Sequence, residues 1–169
     1  MAYFPTESRL GLQAFANLDT APAVPFGTIV RGEDSASGKG GGEFIYLPGV
    51  ANTVVGSLVV YNPSAKTTTL APDTAGLAQP LAVAMSANNL ATTFSWYQVA
   101  GVAVMKKTAV KVNPNVPIYL SATIGRIMPT AVNGKEILNA RTVNTATVAS
   151  TTSTVNVLLQ RPFAQGQAV

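Results

Sequence analysis

Short β-forming runs cut by turn residues dominate the chain from residue 43 to residue 160, and no other feature constrains its fold so tightly. Glu43-Phe-Ile-Tyr-Leu47 stops at Pro48-Gly49, and Ser57-Leu-Val-Val-Tyr61 stops at Asn62-Pro63. Lys66-Thr-Thr-Thr-Leu70 stops at Pro72-Asp73, and Leu81-Ala-Val-Ala-Met85 follows Pro80. Thr93-Phe-Ser-Trp-Tyr-Gln-Val99 reaches Gly101 and resumes as Val102-Ala-Val-Met105. Ala109-Val-Lys-Val112, Pro117-Ile-Tyr-Leu120, Thr123-Ile-Gly-Arg-Ile-Met128, Ile137 to Val148 and Ser153-Thr-Val-Asn-Val-Leu-Leu159 complete the series. Runs this short, rich in Val, Ile, Thr and aromatics and recurring about every ten residues, suit half-buried strands. They predict an all-β fold, a small antiparallel β-sandwich or barrel. No stretch from residue 50 to 160 carries a helical period, Ser86 to Ala91 reads as a polar turn, and there is no fixed internal repeat.

The segment before this series reads differently. Residues 1–27 are punctuated by Pro5, Pro22 and Pro25, and their apolar groups follow no strong period. Ser8 to Leu18 would place Leu10, Ala14 and Leu18 on one helical face, but Gly11 weakens that helix. The segment is expected to be an extended N-terminal arm, or else a first strand and loops packed on the same domain. Residues 28–169 then form the β domain. Within it, Thr28-Ile-Val-Arg31 reads as a short strand, and residues 32–42, with five glycines, as an exposed, mobile loop.

Composition removes several kinds of chemistry. Without cysteine or histidine the chain has no disulfide, no thiolate metal site, and no imidazole base or ligand. The glycine-rich segment departs from a phosphate-binding loop in three ways. Gly32 and Gly38 are one residue too far apart, Gly40 stands where a hydroxyl would hold Mg²⁺, and a strand follows where a helix is needed. The seven carboxylates fall in no catalytic or calcium-binding spacing, and a Ser–Lys pair such as Ser121 with Lys111 has no supporting spacing. The expectation is a non-enzyme with no cofactor and no metal.

Charged residues make up only 11% of the chain, against about a quarter in typical domains, so much of its surface must be Thr, Ser, Asn, Ala and Val. Such a surface docks against other subunits with little charge to desolvate. The net charge of +4 reflects few acids, and the nearest basic cluster, Lys106-Lys107-Thr-Ala-Val-Lys111, reads as a solvated strand edge. No nucleic-acid partner is expected. No apolar run approaches the ~20 residues of a membrane span, and the first 30 residues lack the pattern of a signal peptide, so no membrane partner is expected and assembly in a cytoplasm is. Phe94-Ser-Trp-Tyr-Gln98 could form a carbohydrate-stacking platform through Phe94 and Trp96, although a lone tryptophan in a small β domain more commonly sits in the core.

From about Gly56 to Pro162 the chain resembles the capsid decoration, or cement, proteins of tailed bacteriophages. The stretches concerned are Gly56-Ser-Leu-Val-Val-Tyr61, Pro80-Leu-Ala-Val-Ala-Met85, Trp96-Tyr-Gln-Val-Ala-Gly-Val-Ala-Val104, Ile118-Tyr-Leu-Ser-Ala-Thr-Ile-Gly-Arg-Ile127 and Val155-Asn-Val-Leu-Leu-Gln-Arg-Pro162. They match in style and order, a W-x-x-V-x-G strand followed by a P-x-Y-L hairpin, and no single motif is diagnostic. The resemblance implies a homotrimeric β module on the outside of an icosahedral phage head, bridging major capsid protein subunits in a virion assembled in the host cytoplasm. Another virion module, such as a head-fibre base, tail or spike component, and a carbohydrate- or surface-binding module are the alternatives. The arm is the expected contact with capsid or neighbour, through Phe4, Arg9, Leu10 and Phe15.

Overall fold

The computed structural model describes residues 4–5, 14–34 and 37–167. Among them there is no helix, and the strands form one antiparallel sheet curled into a half-barrel, as the short alternating runs require. The main path begins with β1 (Phe4–Pro5), β3 (Ile29–Asp34), β4 (Gly40–Pro48) and β8 (Phe94–Lys106). It continues through β12 (Thr154–Ala164), β11 (Glu136–Thr142), β9 (Pro117–Leu120) and β10 (Ile127–Met128). Off this path, β5 (Leu58–Asn62) pairs with β6 (Thr67–Leu70) and β7 (Leu81–Ala84), while β2 (Leu18–Asp19) pairs with β8.

The central strand is β8. The two runs read on either side of Gly101 are one strand of 13 residues. Along its length it meets β4 from Phe94 to Ala100, β7 at Gln98 and Tyr97, and β12 from Ala100 to Lys106. The far end of the path returns to it: the Thr108 N–H donates to the Ile127 carbonyl at 3.0 Å, and Lys107 bridges Ile127. The curl encloses a core of Leu58, Val60, Leu81, Val83, Met105, Ile118, Leu120, Val157 and their neighbours. Behind it, Val59, Tyr97 and Val99 pack with Ile45 and Leu47.

Several expected elements take other forms. Residues 32–42 are mostly strand, not loop: Gly32 to Asp34 end β3 and Gly40 to Gly42 begin β4, in register Gly32↔Gly42 and Asp34↔Gly40. Asp34 holds the hairpin. Its carboxylate accepts the Ser37 N–H at 3.0 Å and the Ser37 hydroxyl, and the hydroxyl bond chiefly holds its pKa below the usual carboxylate range. Ala109 to Val112 makes only a single bridge, Val112↔Val148, and the run read from Ile137 to Val148 shortens to β11, ending at Thr142. The chain bends there around Lys107. That side chain is 1% exposed, so it is no solvated edge; its Nζ donates to the carbonyls of Thr108 at 3.2 Å and Val110 at 2.7 Å.

Candidate functional site

Of the segment expected as an arm, residues 14–27 lie across the β4–β8 face as a strap. Phe15 is 1% exposed; its ring stacks on Phe44 with centroids 4.0 Å apart and meets the Trp96 ring edge-on at 5.4 Å. Phe26 stacks on Tyr46 at 6.3 Å and tilts against Phe94 at 5.2 Å. The Tyr46 hydroxyl donates to Asp19 Oδ2 at 2.5 Å and accepts the Ala23 N–H at 3.1 Å. Burial first, and then the bond to Asp19, push the Tyr46 pKa up to about 12.

Phe15 is therefore a core residue of this chain, because burying an aromatic ring against two others outweighs leaving it in solvent for a partner. Phe4 is placed only through its backbone, opposite Glu33 on β3. Arg9 and Leu10 lie outside the described residues. Trp96 is 1% exposed and packs against Tyr46, which removes the stacking platform considered for it.

A second arrangement was not visible in the sequence. Two loops, residues 49–57 and 86–93, are stitched together at one end of the sheet. The Thr53 and Asn88 backbones exchange hydrogen bonds of 3.1 and 3.0 Å. Asn88 Nδ2 donates to Thr93 Oγ1 at 2.7 Å, and Asn88 Oδ1 accepts the Leu90 N–H at 2.9 Å. Thr93 Oγ1 donates to the Leu90 carbonyl at 3.0 Å, and Thr53 Oγ1 donates to the Val50 carbonyl at 3.0 Å. Asn88, Thr53 and Thr93 are all buried, so this polar network is internal and rigidifies both loops. Outward the loops present three bulky aliphatics, Val54 at 47% exposed, Val55 at 46% and Leu90 at 61%, among the exposed uncharged residues Asn52, Asn89 and Thr92. Neither loop contains a charged residue. The sequence signal was slight: four bulky aliphatics, Val50, Val54, Val55 and Leu90, inside otherwise small, polar turns.

A third feature is a groove of about 560 Å³ on the solvent side of β3, β4, β8 and β12. Its floor is backbone and small residues, and Glu43 rises from it between Arg31 and Arg161. Of the five glycines expected to make a mobile loop, Gly32, Gly41 and Gly42 line this groove. Among the described residues no three acidic side chains converge as a metal site would need.

A scan against protein-family models finds no match, and a search of curated proteins finds none either. The fold and these surfaces are therefore the basis for a functional reading.

Proposed function

We propose that the chain is a structural virion protein that binds the outside of an icosahedral phage head and bridges major capsid protein subunits, acting as a homotrimer. The observation that carries this reading is the stitched loop pair. Exposed aliphatic side chains on mobile loops would pay an ordering cost on docking; the loops that carry Val54, Val55 and Leu90 are already tied together by the Thr53–Asn88 bridge and the bonds around Asn88 and Thr93. A charge-free, pre-ordered aliphatic tip suits a contact made many times over a symmetric lattice, where modest individual contacts become effective through avidity. The sparse charge of the whole chain and the resemblance of residues 56–162 support the same reading.

The test is the copy number of this protein in purified particles from its source, by quantitative mass spectrometry against the major capsid protein. A ratio near one to one, or the simple fraction set by threefold axes, is expected. A few copies per particle would assign it to a tail or spike, and absence from particles would overturn the reading.

A further inference from the structure

The aliphatic tip is fixed to a second, basic surface. Gly56, which closes the first tip loop, is wedged against β8. Its carbonyl accepts the Lys106 N–H at 2.8 Å, and at its φ of +88° a Cβ would lie 2.6 Å from the Val104 carbonyl oxygen. Two residues on, the Leu58 N–H donates to the Gly125 carbonyl at 2.8 Å, and the Gly125 N–H donates to the Ala71 carbonyl at 2.9 Å. These bonds hold the turn between β9 and β10 beside the tip, and Ile124 on that turn is 59% exposed. The end of β8 meets the same turn. Lys107 and Ile127 form a parallel bridge and are both buried, so the side chains before them, Lys106 and Arg126, leave by the opposite face. Arg126 is exposed and Lys106 half-buried. Neighbouring strands lie about 4.8 Å apart, so the two cations stand side by side.

Among the described residues, no carboxylate pairs with Lys106, Lys111 or Arg126, and the buried Lys107 ammonium is satisfied by carbonyls alone. The stretches that run through this end are residues 49–58, 86–93, 104–111 and 121–128. They contain Lys106, Lys107, Lys111 and Arg126 and no acid. The other seven basic residues of the chain equal its seven acids, so the formal surplus of +4 falls on these stretches. Asp73, the one acid between Glu43 and Glu136, is taken by Lys135. Like charges on neighbouring strands disfavour the fold, so placing Lys106 beside Arg126 does the fold no service. An apolar centre with a charged rim is the anatomy of a protein contact, in which rim charges steer the approach and set its salt dependence. The four stretches hold no aromatic residue on which a nucleic-acid base could stack.

We propose that this end of the molecule binds an acidic patch on its partner protein, with Val54, Val55 and Ile124 at the centre of the contact and Lys106 and Arg126 meeting carboxylates at its rim. This rests on reading the tip as the surface that docks on the capsid, and adds the chemistry of the partner. The test is co-sedimentation of the full chain with particles lacking it, across a salt series. Attachment should weaken as NaCl rises from about 50 to 300 mM. Lys106→Glu combined with Arg126→Glu should leave thermal unfolding unchanged, weaken attachment about tenfold or more and remove its salt dependence. Lys106→Gln with Arg126→Gln should act the same way in smaller measure, and serves as the test if the reversed pair does not fold. Lys39→Glu with Lys66→Glu makes the same change in net charge a strand's length away, before β4 and after β5, and should attach nearly as the parent does. Parent attachment indifferent to salt, undiminished attachment by the folded Lys106 and Arg126 variants, or an equal loss in the Lys39 and Lys66 variant would each overturn this inference and leave the capsid reading standing. A parent that does not attach at all would overturn the capsid reading, and this inference with it. Binding of a short mixed-sequence DNA duplex that is lost with Lys106 and Arg126, while attachment is kept, would assign the surface to nucleic acid and overturn the proposal.

Discussion

At the scale of single residues, Tyr46 and Asn88 fasten otherwise separate segments. The folded-state pKa of Tyr46, about 12, lies above the ordinary 10.0, because the protonated phenol is buried and donates to Asp19. Its stabilising contribution is complete below pH 10 and is lost as pH climbs through about 12. Burial raises the Tyr61 and Tyr97 pKa values as well, so they share the loss. Burial lowers that of Lys107, whose contribution works the other way, recovering as pH rises toward 10.5. Tyr46→Phe should therefore cost about 1 kcal/mol near neutrality and make the alkaline decline shallower. Denaturant unfolding at a series of pH values checks this; parallel curves for the two proteins would contradict it. Asn88→Ala strips the Thr93 hydroxyl and the Leu90 N–H of their partner, at a cost of about 1–3 kcal/mol. The same unfolding measurement at neutral pH reads that loss.

At the scale of elements, the strap of residues 14–27 belongs to the domain it crosses. Phe15→Ala should destabilise the fold by about 3–5 kcal/mol through the cavity left beside Phe44 and Trp96. Deleting residues 2–20 removes that ring and β2 with it, so the truncated domain should unfold at lower denaturant. Deleting only residues 2–13 removes β1 but leaves Phe15 and β2 in place, so the additional loss in the longer deletion reads the share of the strap. If both deletions melt like the full chain, the strap contributes nothing. The strands themselves were largely legible in the sequence: Pro117 to Leu120 and the runs at Leu58, Leu81 and Thr154 follow their β-branched residues closely. Three things were not. Phe15 lies among prolines with no periodic partner, and only the rings of Phe44 and Trp96, far along the chain, define its place. Gly41 and Gly42 read as a loop because glycine commonly marks one; here β8 comes so close that a Cβ on Gly42 would lie 2.8 Å from the Ala100 carbonyl. The loop-pair tip depends on the Thr53–Asn88 bridge, a contact that neither loop announces alone.

For the whole molecule, the partner binding proposed for the tip can be tested apart from folding, because the tip's aliphatic side chains are exposed. Val54→Asp combined with Leu90→Asp places two carboxylates on an exposed tip, where they should leave thermal unfolding within about 0.5 kcal/mol of the parent. Attachment to particles lacking the protein, measured by co-sedimentation, should fall sharply. Full attachment by the folded double variant would remove the tip from the contact. The position of β12 has a further consequence for how the molecule comes into being. It follows every other strand in the chain, yet it lines β8, β11 and the start of β7. A ribosome releasing the chain in order exposes the unpaired edge of β8 until residues 154–164 emerge, so the half-barrel cannot close strand by strand during synthesis. A message cut short before residue 154 should yield not a smaller version of this protein but an open sheet with a sticky edge, a product for chaperones and proteases to clear.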